Sequence, residues 1–168
     1  MKQSELERTF TESFDQYGDA IFRFCVFKVS SVELAEDMTQ EVFTRYWQYV
    51  RDEKEMTNVR SFLYTIANNL AKDWYKKKKA DSLDQKLDAG MQLNDPSSSP
   101  ETTAEYAEVL DAISDMEQTD KEVLLLKHVE GLPPKDIAQI LGESANTISV
   151  RLNRATKRLQ TKLHLWIQ

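Results

Sequence analysis

The sequence predicts an all-α protein of two small helical domains joined by a flexible acidic linker, the C-terminal domain ending in a helix-turn-helix. Three observations carry this. Gly and Pro are scarce, at 4 each in 168 residues, and apolar residues recur at three- and four-residue spacing with no sustained period of two. The periodicity collapses between Ala80 and Thr103, where serine, proline and aspartate replace any buriable face. The segment from Pro134 to Leu163 then reads as two helices around a tight turn. The expected boundaries are 1–80, 81–103 and 104–168.

Taken in order, Ser4 and Glu7 offer a capping box for a first helix whose stripe is Phe10, Phe14, Tyr17, Ile21 and Cys25. Ser30 and Glu33 offer a second box. The helix that follows, about 32–51, puts Leu34, Ala35, Met38, Val42 and Tyr46 on one side and Glu33, Asp37, Gln40, Glu41, Thr44 and Gln48 on the other. Residues 52–58 form a polar loop, with Asn58 or Thr57 as the next N-cap. Val59, Phe62, Leu63, Ile66, Ala67, Leu70 and Trp74 trace the cleanest apolar face in the chain. The reverse face carries Ser61, Thr65, Asn69, Lys72 and Lys76 and runs out into Lys77–Lys79. Tyr64, Trp74 and Tyr75 interleave with these amides and lysines, a surface that can stack bases and hold a single strand's backbone, although an aromatic stripe is more often core and Trp74 is expected to be core at least in part.

Beyond the linker, Thr102 with Glu105 and Thr119 with Glu122 are candidate caps for two further helices, and Gly131 closes the second. Pro134 starts the helix-turn-helix. Ala138 lies at the close crossing, Gly142 in the turn, and Ser144 at the N-cap of the last helix. Ile148, Leu152, Ala155, Leu159 and Leu163 give that helix an apolar back. Its front carries Asn146, Val150, Asn153, Arg154 and Lys157, flanked by Arg151 and Arg158, a surface suited to the DNA major groove. Arg154 and Asn153 are expected to reach base edges, and Lys157 and Arg158 to touch phosphate.

The net charge of −6 hides an alternation. Residues 1–60 carry −4, residues 61–80 carry +4, residues 81–126 carry −10 and residues 127–168 carry +4. Two basic patches therefore stand ready for a polyanion. Catalytic and cofactor motifs are absent: there is no G-x-x-x-x-G-K-[ST], no G-x-G-x-x-G, and His128 and His164 have no companions at metal-ligand spacing. No enzyme, metal or cofactor is expected, and His128 reads as a structural residue. The single Cys25 sits among phenylalanines, a core position consistent with a reducing cytoplasm. The start, MKQSELERTF, has no apolar signal region, so a cytoplasmic location is expected.

Three stretches in order resemble the extracytoplasmic-function (ECF) sigma factors of bacterial RNA polymerase. AEDMTQEVFTRYW (Ala35 to Trp47) is similar to the family's polymerase-binding helix. SFLYTIANNLAKDWYKKKK (Ser61 to Lys79) is similar to the helix that engages the minus-10 element. EVLLLKHVEGLPPKDIAQILGESANTISVRLNRATKRL is similar to the minus-35 domain. The resemblance implies that Asp37, Gln40, Glu41 and Thr44 meet the clamp helices of the polymerase's largest subunit. It implies that Thr65, Asn68, Asn69, Lys72 and Lys76, with the 52–58 loop, hold the melted minus-10 strand. It gives Asn146, Thr147, Ser149, Val150, Arg151, Asn153, Arg154, Lys157 and Arg158 to the minus-35 duplex, and the linker to the RNA exit path. The family often has Gly at the position of Asn146 and a basic residue at that of Ser149, departures that bear on promoter sequence. An anti-sigma factor, frequently membrane-anchored, is the further partner it implies. The competing reading is a helix-turn-helix regulator with a helical sensor or dimerisation domain, which leaves the lysine-ended face at 65–79 without a purpose.

Overall fold

The computed structural model describes residues 3–82 and 111–166, with side chains as far as residue 163. Chain contacts group into two compact units, Met1–Leu93 and Asn94–Gln168. The expected linker and the Thr102–Glu105 cap lie outside the described residues.

The first unit packs three helices pairwise: α1 (Gln3–Val29), α2 (Val32–Arg51) and α3 (Val59–Ser82). Ser4 and Glu7 both lie inside α1, where Gln3 Nε2 donates to Glu7 Oε1 at 3.0 Å, so the expected box does not open this helix. The second cap is also displaced by one residue. Ser31, not Ser30, is the N-cap of α2 and accepts from the Leu34 N–H at 3.3 Å. Ser30 takes φ 52° instead, a left-handed turn that reverses the chain in two residues. Asn58 caps α3 as expected, its Oδ1 accepting from the Ser61 N–H at 2.9 Å.

Ile21, Phe24, Val42, Leu63 and Tyr64 are fully buried and fill the space between the three helices. Each such side chain contributes roughly 1.5–3 kcal/mol when removed from water. Tyr46 crosses the core to meet the buried Ser13 hydroxyl at 2.8 Å. Phe14, placed in the apolar stripe of α1, is nevertheless 47% exposed and packs edge-on against Phe43 at 4.8 Å.

In the second unit residues 111–114 are helical, followed by α4 (Gln118–Leu124), which widens into a π-helical turn (Leu125–Val129). The N-cap of α4 is Glu117, without a side-chain cap bond, so Thr119 falls inside the first turn and not at the cap. Gly131, at φ 66°, leads the chain out of the π turn. His128 is exposed there. Pro134 is the first residue of α5 (Pro134–Leu141), where its missing N–H costs nothing. Gly142 closes α5 in the left-handed region at φ 68°. Ser144 then caps α6 (Ala145–Trp166), its Oγ accepting from the Thr147 N–H at 3.1 Å. Leu126, Leu132, Ile137, Ile140, Ile148 and Ala155 form the core that fixes α6 against α4 and α5.

Candidate polymerase and nucleic-acid interfaces

On α2 the apolar side is sunk into the bundle, which leaves Asp37, Gln40 and Thr44 exposed and Glu41 half-buried along one outward stripe. Two of these already have local engagements. Glu41 accepts from Arg45 Nε at 2.7 Å, and Thr44 donates to the Gln40 carbonyl at 2.8 Å. Such an exposed i,i+4 pair contributes only a few tenths of a kcal/mol, so it yields readily to a partner.

The face of α3 divides the expected minus-10 set. Asn69, Lys72 and Lys76 are exposed and three or four residues apart, so they share one side of the helix. Thr65 is half-buried and donates to the Ser61 carbonyl at 2.8 Å. Asn68 is fully buried, because its position faces α1 and α2. That corrects its assignment to the strand-binding surface. Ser61, also expected on that face, is 2% exposed.

The aromatic residues behave differently from one another. Tyr64 is fully buried, edge-on to Phe24 at 5.3 Å, and is removed from any stacking role. Lys78 Nζ lies 4.8 Å over the Trp74 ring, and the Tyr75 hydroxyl donates to the Lys28 carbonyl at the end of α1. Burial raises the Tyr75 pKa above its ordinary value. A cleft of about 510 Å³ brings Asp37, Glu41 and Arg45 of α2 alongside Trp74, Lys76 and Lys77 of α3. The two expected interfaces of this unit therefore share an edge. Asp73 lines the same cleft, an acidic intrusion that the lysine count concealed.

In the second unit α6 presents Asn146, Ser149, Val150, Asn153 and Lys157 outward, all exposed, with Val150 58% open to solvent. Thr147 is exposed and its hydroxyl meets Ser144 Oγ at 2.8 Å. The arginines, of which Arg154 and Arg158 are also exposed, differ in being paired with carboxylates. Arg151 forms a two-point pair with Glu143, at 2.8 and 3.1 Å. Arg154 Nη2 lies 2.6 Å from Asp120 Oδ1, and Arg158 Nη1 lies 3.3 Å from Asp120 Oδ2. Asp120 is fully buried at the start of α4. The pairing raises the Arg154 pKa above its ordinary value. Sequence reading set Arg154 beside Asn153 as a free base reader, whereas the fold turns its guanidinium towards Asp120. Asp120 itself was not singled out. The available signal was a carboxylate in a helix whose neighbours Val123 and Leu124 are buried.

Among the described residues no cluster of His, Cys, Asp or Glu is placed to hold a metal, and no helix is long and apolar enough to cross a membrane.

These features define a class: an all-helical chain of two modules, the second a helix-turn-helix of the DNA-binding type. The chain belongs to the sigma-70 family, in its ECF group, with residues 14–80 matching sigma-70 region 2 and residues 106–159 matching sigma-70 region 4. It is 27% identical over 154 residues to the ECF RNA polymerase sigma factor BldN of Streptomyces coelicolor, a match covering 89% of this chain and 58% of that protein. The chain thus spans little more than half the length of that relative. With the ECF sigma factor SigW of Bacillus subtilis it shares 28% identity, over 92% of this chain and 88% of SigW. The fold is that of the sigma factor RpoE solved in complex with the anti-sigma factor NepR from Bartonella quintana. There the TM-score is 0.72 at 23% identity, covering 94% of this chain and 98% of that one.

Proposed function

We propose that the chain is a sigma factor that binds core RNA polymerase and directs promoter-specific initiation of transcription in the cytoplasm. It is not proposed to catalyse a reaction of its own. The observation that carries this reading is the presence of separate basic helical faces on the two modules, each backed by its own apolar core. The outward stripe of α6 fits the major groove of a minus-35 duplex. The face of α3 at Asn69, Lys72 and Lys76, with its lysine run, suits the backbone of a melted minus-10 strand. The α2 stripe at Asp37, Gln40, Glu41 and Thr44 is the proposed contact with the clamp helices of the polymerase's largest subunit. An anti-sigma factor is proposed as the regulator, in keeping with the RpoE structure.

The test is reconstitution. Core polymerase and the full chain should co-elute on gel filtration and start transcripts at discrete sites on a genomic fragment library. Core polymerase alone should not. Failure to co-elute would return the chain to the class of autonomous helix-turn-helix regulators.

A further inference from the structure

We propose that Asp120 and Glu143 hold the arginines of α6 as fixed backbone clamps, leaving minus-35 bases to be read by Asn146, Ser149, Val150 and Asn153. This rests on the sigma-factor reading above and deepens it.

Three observations converge. All three arginines on α6 are held by carboxylates of their own unit, Arg151 by Glu143 and both Arg154 and Arg158 by Asp120. Asp120 is fully buried and shared by Arg154 and Arg158, with Arg154 the nearer at 2.6 Å, so turning Arg154 to a base would leave a buried carboxylate with only its longer, 3.3 Å pair, a costly exchange. The helix also separates the two sets. With about 100° per residue, Asn146, Ser149, Val150, Asn153 and Lys157 fall on one stripe, while Arg151, Arg154 and Arg158 fall about a quarter-turn or more round from its centre.

That flank borders an opening it shares with the edge of the stripe. Arg151 and Arg154 line a polar cleft of about 410 Å³ with Glu117, Thr119, Thr147 and, from the stripe, Asn146 and Val150. Arg154 keeps 45% of its side chain exposed beside its bond to Asp120, so donors remain for a second acceptor. A phosphate oxygen asks only for a cation and a donor, and conveys no sequence. Reading a guanine would require the two-point edge of a guanidinium, and Asp120 already occupies part of that edge on Arg154. The uncharged members of the stripe, Asn146, Ser149, Val150 and Asn153, offer different recognition. Asparagine pairs with the N6 and N7 edge of adenine, and the exposed Val150 suits a thymine methyl group.

The experiment uses holoenzyme reconstituted from core polymerase and the full chain. Duplexes randomised over the minus-35 region are selected, and the enriched duplex and its single-base variants are titrated over a salt series. Asn153→Ala or Val150→Ala should lose on the order of ten-fold discrimination at one position. Arg154→Ala should bind every duplex more weakly by one common factor, with the salt slope smaller by about one. In an Asp120→Asn background, checked by circular dichroism, the loss on Arg154→Ala should fall by at least half. A merely structural Asp120 would leave the two losses additive in free energy and so overturn the positioning role. Should Asp120→Asn not fold, Arg154→Lys replaces it. That variant should keep both the salt slope and all base preferences, and a changed preference would overturn the proposal. Loss of preference at any position in Arg154→Ala would overturn it too, while the sigma reading stood. No enriched sequence with wild-type protein would overturn both.

Discussion

Ser13 and Tyr46 show how unevenly a buried hydrogen bond is shared. Ser13 Oγ donates to the Thr9 carbonyl at 2.9 Å, so the proton in its 2.8 Å contact with Tyr46 comes from the phenol. Ser13→Ala strands that phenol proton in the core and should cost about 1–3 kcal/mol, whereas Tyr46→Phe leaves every donor satisfied and should cost about 0.5–1.5 kcal/mol. Urea unfolding of the two variants checks the order, and a larger loss for Tyr46→Phe would contradict it. Cys25 makes a pH prediction. Burial pushes its thiol from 9.0 to about 11, the Thr39 hydroxyl opposing this only in part. Because the folded pKa is raised, the neutral thiol's contribution is intact below pH 9 and is lost as pH rises towards 11. Wild type should exceed Cys25→Ala in stability at neutral pH, and that margin should narrow by roughly 1–3 kcal/mol between pH 9 and 11. A margin independent of pH in paired melts would refute the assignment.

At the scale of the element, the turn between α5 and α6 shows what was legible. Pro134, Gly142 and Ser144 each occupy the place their chemistry predicts, because local backbone preference alone decides a proline start, a left-handed glycine and a serine cap. A Cβ at Gly142 would meet nothing within 4 Å, so Gly142→Ala should cost only the conformational penalty, about 1–2 kcal/mol. Thermal denaturation measures this, and an unchanged midpoint would mean the turn relaxes. Elsewhere the same local signals misled. Ser30 and Ser31 are equivalent as sequence, and the choice of Ser31 as cap follows from where α1 must end to pack on α2. The π turn had no signal at all. The amide pair Asn68–Asn69 read as two polar surface residues, but neighbouring positions on a helix point about 100° apart, and the bundle claimed one of them. The arginine pairs were hidden for a related reason. Arg154 and Asp120 lie 34 positions apart, and only the fold brings them together.

For the whole molecule, the apolar periodicity and the charge blocks were enough to anticipate two helical modules with separate basic faces. They did not show that Asp37 and Glu41 border the cleft that also holds Lys76 and Lys77. The proposed polymerase docking at α2 is open to a direct test. Glu41→Lys breaks the pair with Arg45 and places two cations one turn apart, costing a few tenths of a kcal/mol of stability. The variant should fold, yet lose association with core polymerase through repulsion from a basic partner. Co-elution equal to wild type on gel filtration would remove Glu41 from the docking surface.

The bond from Tyr75 to the Lys28 carbonyl has a mechanical consequence. Up to this point α3 is a beam embedded in its bundle. Past it, Lys76–Ser82 projects as a cantilever of about 10 Å, at 1.5 Å per residue. A pull on the lysines is then a bending load whose fulcrum is Tyr75. Its reaction falls on the closing turn of α1, so tension on the arm is borne by the bundle instead of being lost in a slack tail.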